Sequence, residues 1–251
     1  MITLKDKHAQ EKMKRAGQLL CGLFIELEKY IVAGVTTLGL DTIIAGMLEQ
    51  KNLISQSKGY LGYRHVSCIS INEEVVHGVP SVDKIVQDGD LVKIDICAAW
   101  NGYCADMARC FFVGEHYTQA AKKLVDVAQL ALDAGIEHAV PGGRLGDISA
   151  AIQKTIENHG FGIVRNFAGH GIGKRMHEEP EILNYGVSGR GPILRSGMAL
   201  ALEPMITLGR DDVVVLPDGW TAKTVDGSLA AHVEDTVIIT DQGPCIITRM
   251  M

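Results

Sequence analysis

The sequence lacks any apolar run that approaches the roughly 18 residues of a membrane span. Its first fifteen residues, MITLKDKHAQEKMKR, are charged and amphipathic, without the apolar segment of a secretory signal. Basic residues number 24 against 30 acidic ones, for a net charge of −6, whereas a general nucleic-acid binder needs a basic surface. We therefore expect neither membrane association nor a nucleic-acid partner.

Cysteine motifs and flexible linkers are also missing. The six cysteines include no CxxC pair, and Cys21 and Cys97 fall in apolar periodic segments, where a small buried thiol is expected. This usage predicts a reducing compartment, and we expect a cytoplasmic protein. No Ser- and Pro-rich stretch divides the 251 residues, of which 47% are apolar and 22% are charged. We expect a single globular domain over residues 1–251.

Helical and strand periodicities alternate along the chain, which predicts an α+β protein. Helices are expected from about Lys7 to Ile31, from near Asp41 as an N-cap, from about Thr118 to His138, and from near Asp147 to Gly160. Strands are expected at Leu91–Cys97, Tyr103–Val113, Met198–Ile206 and His232–Thr240.

The order of these elements repeats, because a helix pair followed by strands occurs twice. Gly39, before the second helix, and Gly146, before the fourth, are 107 residues apart. Asp95 and Glu203, each six residues after a glycine, are 108 residues apart. The nearly equal offsets favour two related halves, roughly 1–115 and 116–251, whose sheets face a shared centre. Coincidence is the alternative, since Gly and Leu are common.

One hairpin carries the most specific short-range signal. Asn101-Gly102 is typical of a two-residue turn, because both positions require positive φ. Pairing outward from this turn places Cys97 opposite Asp106. Asp95 shares the face of Cys97, so the two aspartates are expected as diagonal neighbours, roughly 7–8 Å apart at the backbone.

Two aspartates on one face of a hairpin need an explanation, because Asp is disfavoured in strands. A solvated outer face would accommodate both. The other residues on that face, however, are small or apolar: Cys97, Ala99, Cys104 and Ala108. A carboxylate in such surroundings needs a cation or hydrogen-bond donors to stay ionised. Asp95 and Asp106 are therefore a candidate cation site.

Further candidate residues follow in the second half of the chain. His170 lies in the run GHGIG, whose glycines allow the backbone to approach a ligand closely. His177 follows in MHEEP, Glu203 ends an apolar strand in ALEP, and Glu234 lies in HVEDT. Each of these residues, taken alone, is more often structural than functional.

Taken in order, these motifs resemble methionine aminopeptidase, type I. The resemblance rests on HGVP at His77, Asp95, Asp106, GHGIG at His170, MHEEP at His177, LEPM at Glu203 and VEDT at Glu234. It extends from the first helix to the last strand. It implies the pita-bread fold, in which two pseudo-symmetric α/β halves with antiparallel sheets surround a central dinuclear metal site.

The resemblance also implies a metal-dependent hydrolase with two divalent ions per chain, either Co, Mn, Fe(II) or Zn. The implied metal ligands are Asp95, Asp106, His170, Glu203 and Glu234, with Asp106 and Glu234 bridging the ions. Four carboxylates and one imidazole form an oxygen-rich donor set that suits these ions. The implied reaction removes the initiator methionine from nascent proteins, by attack of a metal-activated water on the first peptide bond.

Contacts with the substrate are implied by the resemblance as well. His77 and His177 would hydrogen-bond the substrate, and Glu203 would transfer a proton besides binding metal, so these three are the implied catalytic residues. The implied walls of the methionine pocket are Tyr60, Tyr63, Cys68, Met176 and Trp220. Departures from the common bacterial pattern are Leu61 for His, Met176 for Phe and His232 for Gln.

Two alternatives stay open at this stage. One is another enzyme of the same fold that cleaves a different N-terminal residue or an X-Pro bond. The other is a non-catalytic peptide-binding module, although relatives of that kind lose one or more metal ligands and all five are present here. The expected partners are nascent polypeptide N-termini, docking on ribosomes stays open, and a monomer is expected.

Overall fold

Helices and short strands alternate along the chain, as expected for an α+β protein. The computed structural model describes residues 1–250, so Met251, the last residue of the expected domain, lies outside the described residues. The helices are α1 (Lys7–Leu27), α2 (Thr37–Gln50), α3 (Gln119–Glu137) and α4 (Leu145–Asn158), with 3₁₀ turns at Glu28–Tyr30 and Tyr60–Gly62. The strands are β1 (Ile54–Ser55), β2 (Cys68–Ile71), β3 (Glu74–Val76), β4 (Leu91–Trp100), β5 (Tyr103–Phe112), β6 (Gly162–Ile163), β7 (Gly169–Gly171), β8 (Glu178–Ile182), β9 (Ala199–Leu202), β10 (Met205–Thr207), β11 (Val213–Val215), β12 (Ala222–Thr224), β13 (Ala230–His232), β14 (Glu234–Thr240) and β15 (Gly243–Ile246).

The expected start of the second helix at Asp41 is wrong. Thr36 is the N-cap of α2, and its Oγ1 accepts a hydrogen bond from the Gly39 N–H at 3.0 Å. Asp41 lies one turn further on, where its Oδ1 accepts the N–H groups of Val66 and Ser67, each at 3.1 Å. This carboxylate therefore fastens a distant loop to α2 instead of starting the helix.

Two other helix ends differ from the expected positions. Helix α4 begins at Leu145, because Asp147 sits inside the first turn and accepts the backbone N–H of the residue before the helix at 2.7 Å. Helix α1 ends at Leu27 rather than at Ile31, because the chain tightens into the 3₁₀ turn Glu28–Tyr30. Within the described part of the chain, no helix combines the length and the apolar character that crossing a bilayer requires.

Most strands join one antiparallel sheet, whose order within residues 1–250 is β1-β4-β5-β14-β9-β7-β8, with β2 also paired to β4 and β15 to β14. Two smaller sheets have the orders β13-β10-β6 and β11-β12-β3. Helices α1 and α2 share one apolar cluster with β4 and β5, whereas α3 and α4 share another with β9 and β14. Each helix pair thus covers its own part of the large sheet.

Equivalent backbone contacts occur within the first and the second part of the chain, and their residue numbers differ by a constant 108. The Gly34 N–H donates to Val86 O at 2.8 Å, and the Gly142 N–H donates to Leu194 O at 2.9 Å. The isolated β-bridges keep the same offset: Thr36–Ile85 and Arg144–Ile193. These matched contacts support our proposal that the chain consists of two related halves, roughly 1–115 and 116–251.

Both strands predicted late in the chain are interrupted. The expected strand Met198–Ile206 breaks at Glu203-Pro204, because Pro204 has no N–H to donate to a neighbouring strand. The expected strand His232–Thr240 breaks at Val233. At both breaks the chain leaves one sheet and enters the other, since β9 and β14 belong to the large sheet and β10 and β13 to the β13-β10-β6 sheet. The predicted acidic residues of this half therefore lie where two sheets meet.

Candidate metal centre and substrate pocket

The β4–β5 hairpin has the predicted register. Cys97 pairs with Asp106, and Asp95 lies two residues before Cys97 on the same face. The turn residues Asn101 and Gly102 have φ values of 47° and 77°, as a two-residue turn of this kind requires. The sequence prediction that Asp95 and Asp106 are diagonal neighbours is confirmed.

Strand β14 brings a third carboxylate to this hairpin. Ala108 of β5 pairs with Asp95 on one side and with Glu234 on the other. Asp106 precedes Ala108 by two residues, and side chains two apart lie on one face of a strand. Asp95, Asp106 and Glu234 therefore project from the same face of three adjacent strands.

Strands β7 and β9 add an imidazole and a fourth carboxylate. His170 pairs with Ala201, and Glu203 follows Ala201 by two residues. The Nε2 atom of His170 lies 3.6 Å from Glu203 Oε1 and 3.8 Å from Asp106 Oδ2. Its Nδ1 lies 3.0 Å from Gly171 O, and a proton on Nδ1 that bonds this carbonyl leaves the Nε2 lone pair facing the carboxylates.

These groups fit a bound cation. One donor atom each from Asp106, His170 and Glu234 lies within 4.8 Å of the others. Oε1 of Glu234 is buried and has no hydrogen-bond partner among the described residues. Buried polar atoms nearly always have a partner, and a cation between these ligand atoms would supply one. Oxygen-rich sets of this composition suit divalent ions.

The pKa values of the clustered side chains also indicate a site for a cation. Burial raises the pKa of Asp106 to about 7, and the negative charge of Glu203 adds to this shift. Burial also raises the pKa values of Asp95, Glu203 and Glu234 well above their usual range, with Asp106 adding to the shifts of Asp95 and Glu234. Burial lowers the pKa of His170 to about 4, so its ring is neutral, which is the metal-binding form.

Side chains behind the carboxylates hold their backbones in place. The Asp106 N–H donates to Thr236 Oγ1 at 2.8 Å, and the Thr236 hydroxyl donates back to Asp106 O at 2.8 Å. The guanidinium of Arg109 donates to Glu234 O at 2.5 Å and to the buried carboxylate of Asp235 at 2.6 Å. Neither Thr236 nor Arg109 could be identified from the sequence, because their partners lie more than a hundred positions away.

Replacing Thr236 with Val should lower the free energy of unfolding by about 1–3 kcal/mol, because the Asp106 N–H and C=O would remain buried without partners. The Thr236→Ser variant keeps the hydroxyl and should retain most of this stability. Urea denaturation of the metal-free proteins measures both. Equal losses in the Val and Ser variants would show that the hydroxyl does not hold Asp106.

A cavity of about 110 Å³ opens beside the carboxylates. Its lining includes every site residue predicted from the sequence, together with Ser57 and Cys97. The predicted members are Tyr60, Tyr63, Cys68, His77, Asp95, Asp106, His170, Met176, His177, Glu203, Trp220 and Glu234. Cys97 could have been found from its place opposite Asp106 in the hairpin, whereas Ser57 has no distinguishing signal in the sequence.

Aromatic rings form another part of the cavity wall. The rings of Tyr63 and Trp220 pack edge to face, with centroids 4.9 Å apart. His177 Nδ1 lies 3.0 Å from the Tyr60 hydroxyl, and its ring centroid lies 4.4 Å from that of His170. His177 is therefore held between the apolar wall and the candidate metal ligands.

His77 approaches the cavity from an unusual backbone conformation. Its φ is 58°, in the left-handed region, and its ring packs edge-on to Phe167 at 5.2 Å between centroids. A Cβ on the following Gly78 would collide with Ile69 O, so this backbone position requires glycine. Such conformations concentrate at functional sites because surrounding contacts must maintain them.

The three residues that depart from the common pattern have different surroundings. Leu61 is 81% exposed, with a φ of 46°, and does not line the cavity. Met176 lines the cavity. His232 is buried, and its Nε2 lies 3.6 Å from Glu203 Oε2.

Comparison with known proteins identifies the family. The model of metallopeptidase family M24 matches residues 11–241. Methionine aminopeptidase of Clostridium acetobutylicum is 46% identical over 248 residues, 99% of each chain. The crystal structure of methionine aminopeptidase from Thermotoga maritima superposes with a TM-score of 0.97 at 43% identity over 100% of both chains. Prolidase from Pyrococcus furiosus shares the fold alone, with a TM-score of 0.77 and 23% identity over 99% of this chain and 66% of its own. The chain thus has the predicted pita-bread fold and belongs to metallopeptidase family M24, among its methionine aminopeptidases.

Proposed function

We propose that this chain removes the initiator methionine from new polypeptides by hydrolysing their first peptide bond. The observation that carries the proposal is one cavity whose lining combines a cluster of carboxylates and an imidazole with several aromatic rings. This arrangement would hold an apolar N-terminal side chain beside bound divalent ions. The similarity to methionine aminopeptidases over the full chain supports the same activity.

The proposed metal site uses all five predicted ligands. Asp106 and Glu234 would contribute to holding both ions, Asp95 to holding one of them, and His170 and Glu203 to holding the other. Bound divalent ions supply an activated water and polarise the scissile carbonyl. The donor set suits Co, Mn, Fe(II) or Zn.

Three side chains act on the substrate in this proposal. His177, beside the metal ligands, donates a hydrogen bond to the oxygen that becomes negative as the carbonyl is attacked. His77 contacts the backbone nitrogen of the second substrate residue. Glu203 carries a proton toward the leaving amine from its place on the walls of both the cavity and the adjoining groove.

The shape of the site supports the position of the substrate chain. The apolar wall of Tyr63 and Trp220 would enclose the methionine side chain and exclude water. A groove of about 520 Å³ continues from the cavity past His77, His177 and Glu203. We propose this groove as the exit for the polypeptide beyond its second residue.

His77→Ala and His177→Ala should each lower turnover, and for His177→Ala the expected loss is about 10²–10³-fold, the usual cost of losing one donor to a developing charge. Neither variant should lose bound metal, because neither side chain belongs to the ligand set. Steady-state hydrolysis and metal analysis of the same samples measure the two quantities. Loss of metal in either variant would assign that histidine to the ligand set instead.

A peptide panel tests the proposed activity. Stripped protein is given Co²⁺, Mn²⁺, Fe²⁺ or Zn²⁺ in turn and incubated with Met-Ala-Ser, Leu-Ala-Ser and an Xaa-Pro peptide. Release of methionine from the first peptide alone supports the proposal, with protein held in chelator as the control. Preferred cleavage of the Xaa-Pro peptide would contradict the proposal and indicate the X-Pro activity of this fold. An absence of hydrolysis with every ion would indicate a non-catalytic peptide-binding module.

We further propose that the chain acts in the cytoplasm, as a monomer, on nascent N-termini. Removal of an initiator methionine takes place where polypeptides are made, which supports this location. Light scattering tests the monomer, and a dimer at micromolar concentration would contradict it. Co-sedimentation with translating ribosomes tests whether the chain docks there.

A further inference from the structure

One buried imidazole at the site has no task in the mechanism proposed above. The side chain of His232 is 2% exposed. Its Nε2 has no hydrogen-bond partner among the described residues. A buried ring nitrogen without a partner is unusual and indicates that something else occupies the space in front of it.

The geometry around Glu203 shows what this partner would be. His170 Nε2 lies 3.6 Å from Oε1 of Glu203, and His232 Nε2 lies 3.6 Å from Oε2. Both distances are too long for hydrogen bonds. Two ligand atoms of one ion, each about 2.0–2.2 Å from it, lie roughly 3–4 Å apart. Each ring nitrogen therefore lies, from a different oxygen of the Glu203 carboxylate, at the distance that separates two ligand atoms of one ion.

The passage of the chain from β13 to β14 directs His232 toward Glu203. His232 ends β13, where it pairs with Met205 of β10. Glu203 precedes Met205 by two residues, and Glu234 begins β14 two residues after His232. The same passage of chain between two sheets thus presents both Glu234 and His232 to the site.

We propose that His232 Nε2 is a further ligand of the ion held by His170 and Glu203. This inference rests on the proposed metal site and extends its donor set to four carboxylates and two imidazoles. Imidazole suits Co²⁺ and Zn²⁺ better than it suits Mn²⁺. The chain should therefore prefer Co²⁺ over Mn²⁺ more strongly than it would with the glutamine common at this position.

Proton NMR of the protein loaded with two equivalents of Co²⁺ tests the proposal. A histidine bound to Co²⁺ through Nε2 gives one strongly shifted, solvent-exchangeable resonance from its Nδ1–H. Two such resonances are expected for the wild type, one for His232→Gln, and two for the control variant of an exposed histidine, His159→Gln. Titration calorimetry should show that His232→Gln loses about tenfold or more in Co²⁺ affinity and less in Mn²⁺ affinity.

The outcomes separate this inference from the proposed function. A single shifted resonance in the wild type, unchanged in His232→Gln, would overturn the role of His232 and leave the five-ligand site standing. Failure of the wild type to bind Co²⁺ would overturn the metal site and the inference together. A wild-type count of one overturns the proposal even if His232→Gln does not fold, and two resonances that persist in a folded His232→Gln variant would overturn it as well.

Discussion

Replacing Asp106 with Asn is expected to abolish catalysis while making the metal-free protein more stable. Asp106 is a proposed bridging ligand, so its loss should weaken binding of both ions by about 100-fold or more and lower turnover by at least about 10³-fold. In the metal-free protein, however, the same carboxylate is buried among others of like charge, and burial and repulsion already raise its pKa to about 7. A neutral amide removes that repulsion.

Metal titration, peptide hydrolysis and urea denaturation of one preparation measure all three effects. The matched control is Asp147→Asn, because Asp147 caps α4 and does not line the cavity. That variant should lose stability and keep its metal affinity and activity. If Asp106→Asn destabilised the metal-free protein as Asp147→Asn does, the carboxylates would not repel one another as described.

Removing the metal is expected to leave a protein that becomes less stable as pH rises from about 6.5 to 8. The pKa of Asp106 is about 7 in the folded protein against an ordinary value of 3.8. Between these values the folded state holds a proton that the unfolded state has released, so stability falls as pH rises. The raised pKa values of Asp95, Glu203 and Glu234 extend the fall to higher pH.

Buried histidines oppose this trend at lower pH. Burial lowers the pKa values of His77, His170 and His232 to about 4, against an ordinary value of 6.5. Their contribution raises stability between pH 4 and 6.5 and is complete above that range. The carboxylate effect is therefore clearest between about pH 7 and 8, above the histidine range and below the pH at which the lowered pKa of Lys93, about 8, begins to add stability.

Melting temperatures at pH 6.5, 7.2 and 8.0, with chelator and with Mn²⁺, measure the effect. The metal-free protein should melt below the loaded protein at pH 8.0, and each kcal/mol corresponds to roughly 2–4 °C in a chain of this size. The loaded protein should show no such fall, because bound ions keep the carboxylates ionised at every pH tested. Unchanged melting after chelation, or a metal-free protein that gains stability above pH 6.5, would contradict the account.

The hairpin could be predicted from the sequence because its information is local. Asn101-Gly102 determines the turn, alternation determines the faces, and together they place Asp95 and Asp106 side by side. The local signal at Asp41 was misleading, because this strong cap residue instead binds Ser67 of a distant loop. The local preference of a residue for a helix cap does not determine its position when a long-range contact stabilises it elsewhere.

The other half of the site could not be worked out from spacing. His170, Glu203 and Glu234 meet Asp106 through pairings between strands far apart in the chain, and no turn fixes that register. Their assignment as ligands came from resemblance to a family. The hydroxyl of Thr236, which bonds Asp106 across 130 positions, had no sequence signal.

The central claim is that five side chains hold two divalent ions beside an apolar pocket for methionine. A crystal structure of the Mn²⁺-loaded protein, with anomalous data collected at the manganese edge, tests this most directly. We expect two anomalous peaks, both bonded to Asp106 and Glu234, one also to Asp95 and the other also to His170 and Glu203. Peaks elsewhere on the surface, or these five side chains without a shared ion, would contradict the account.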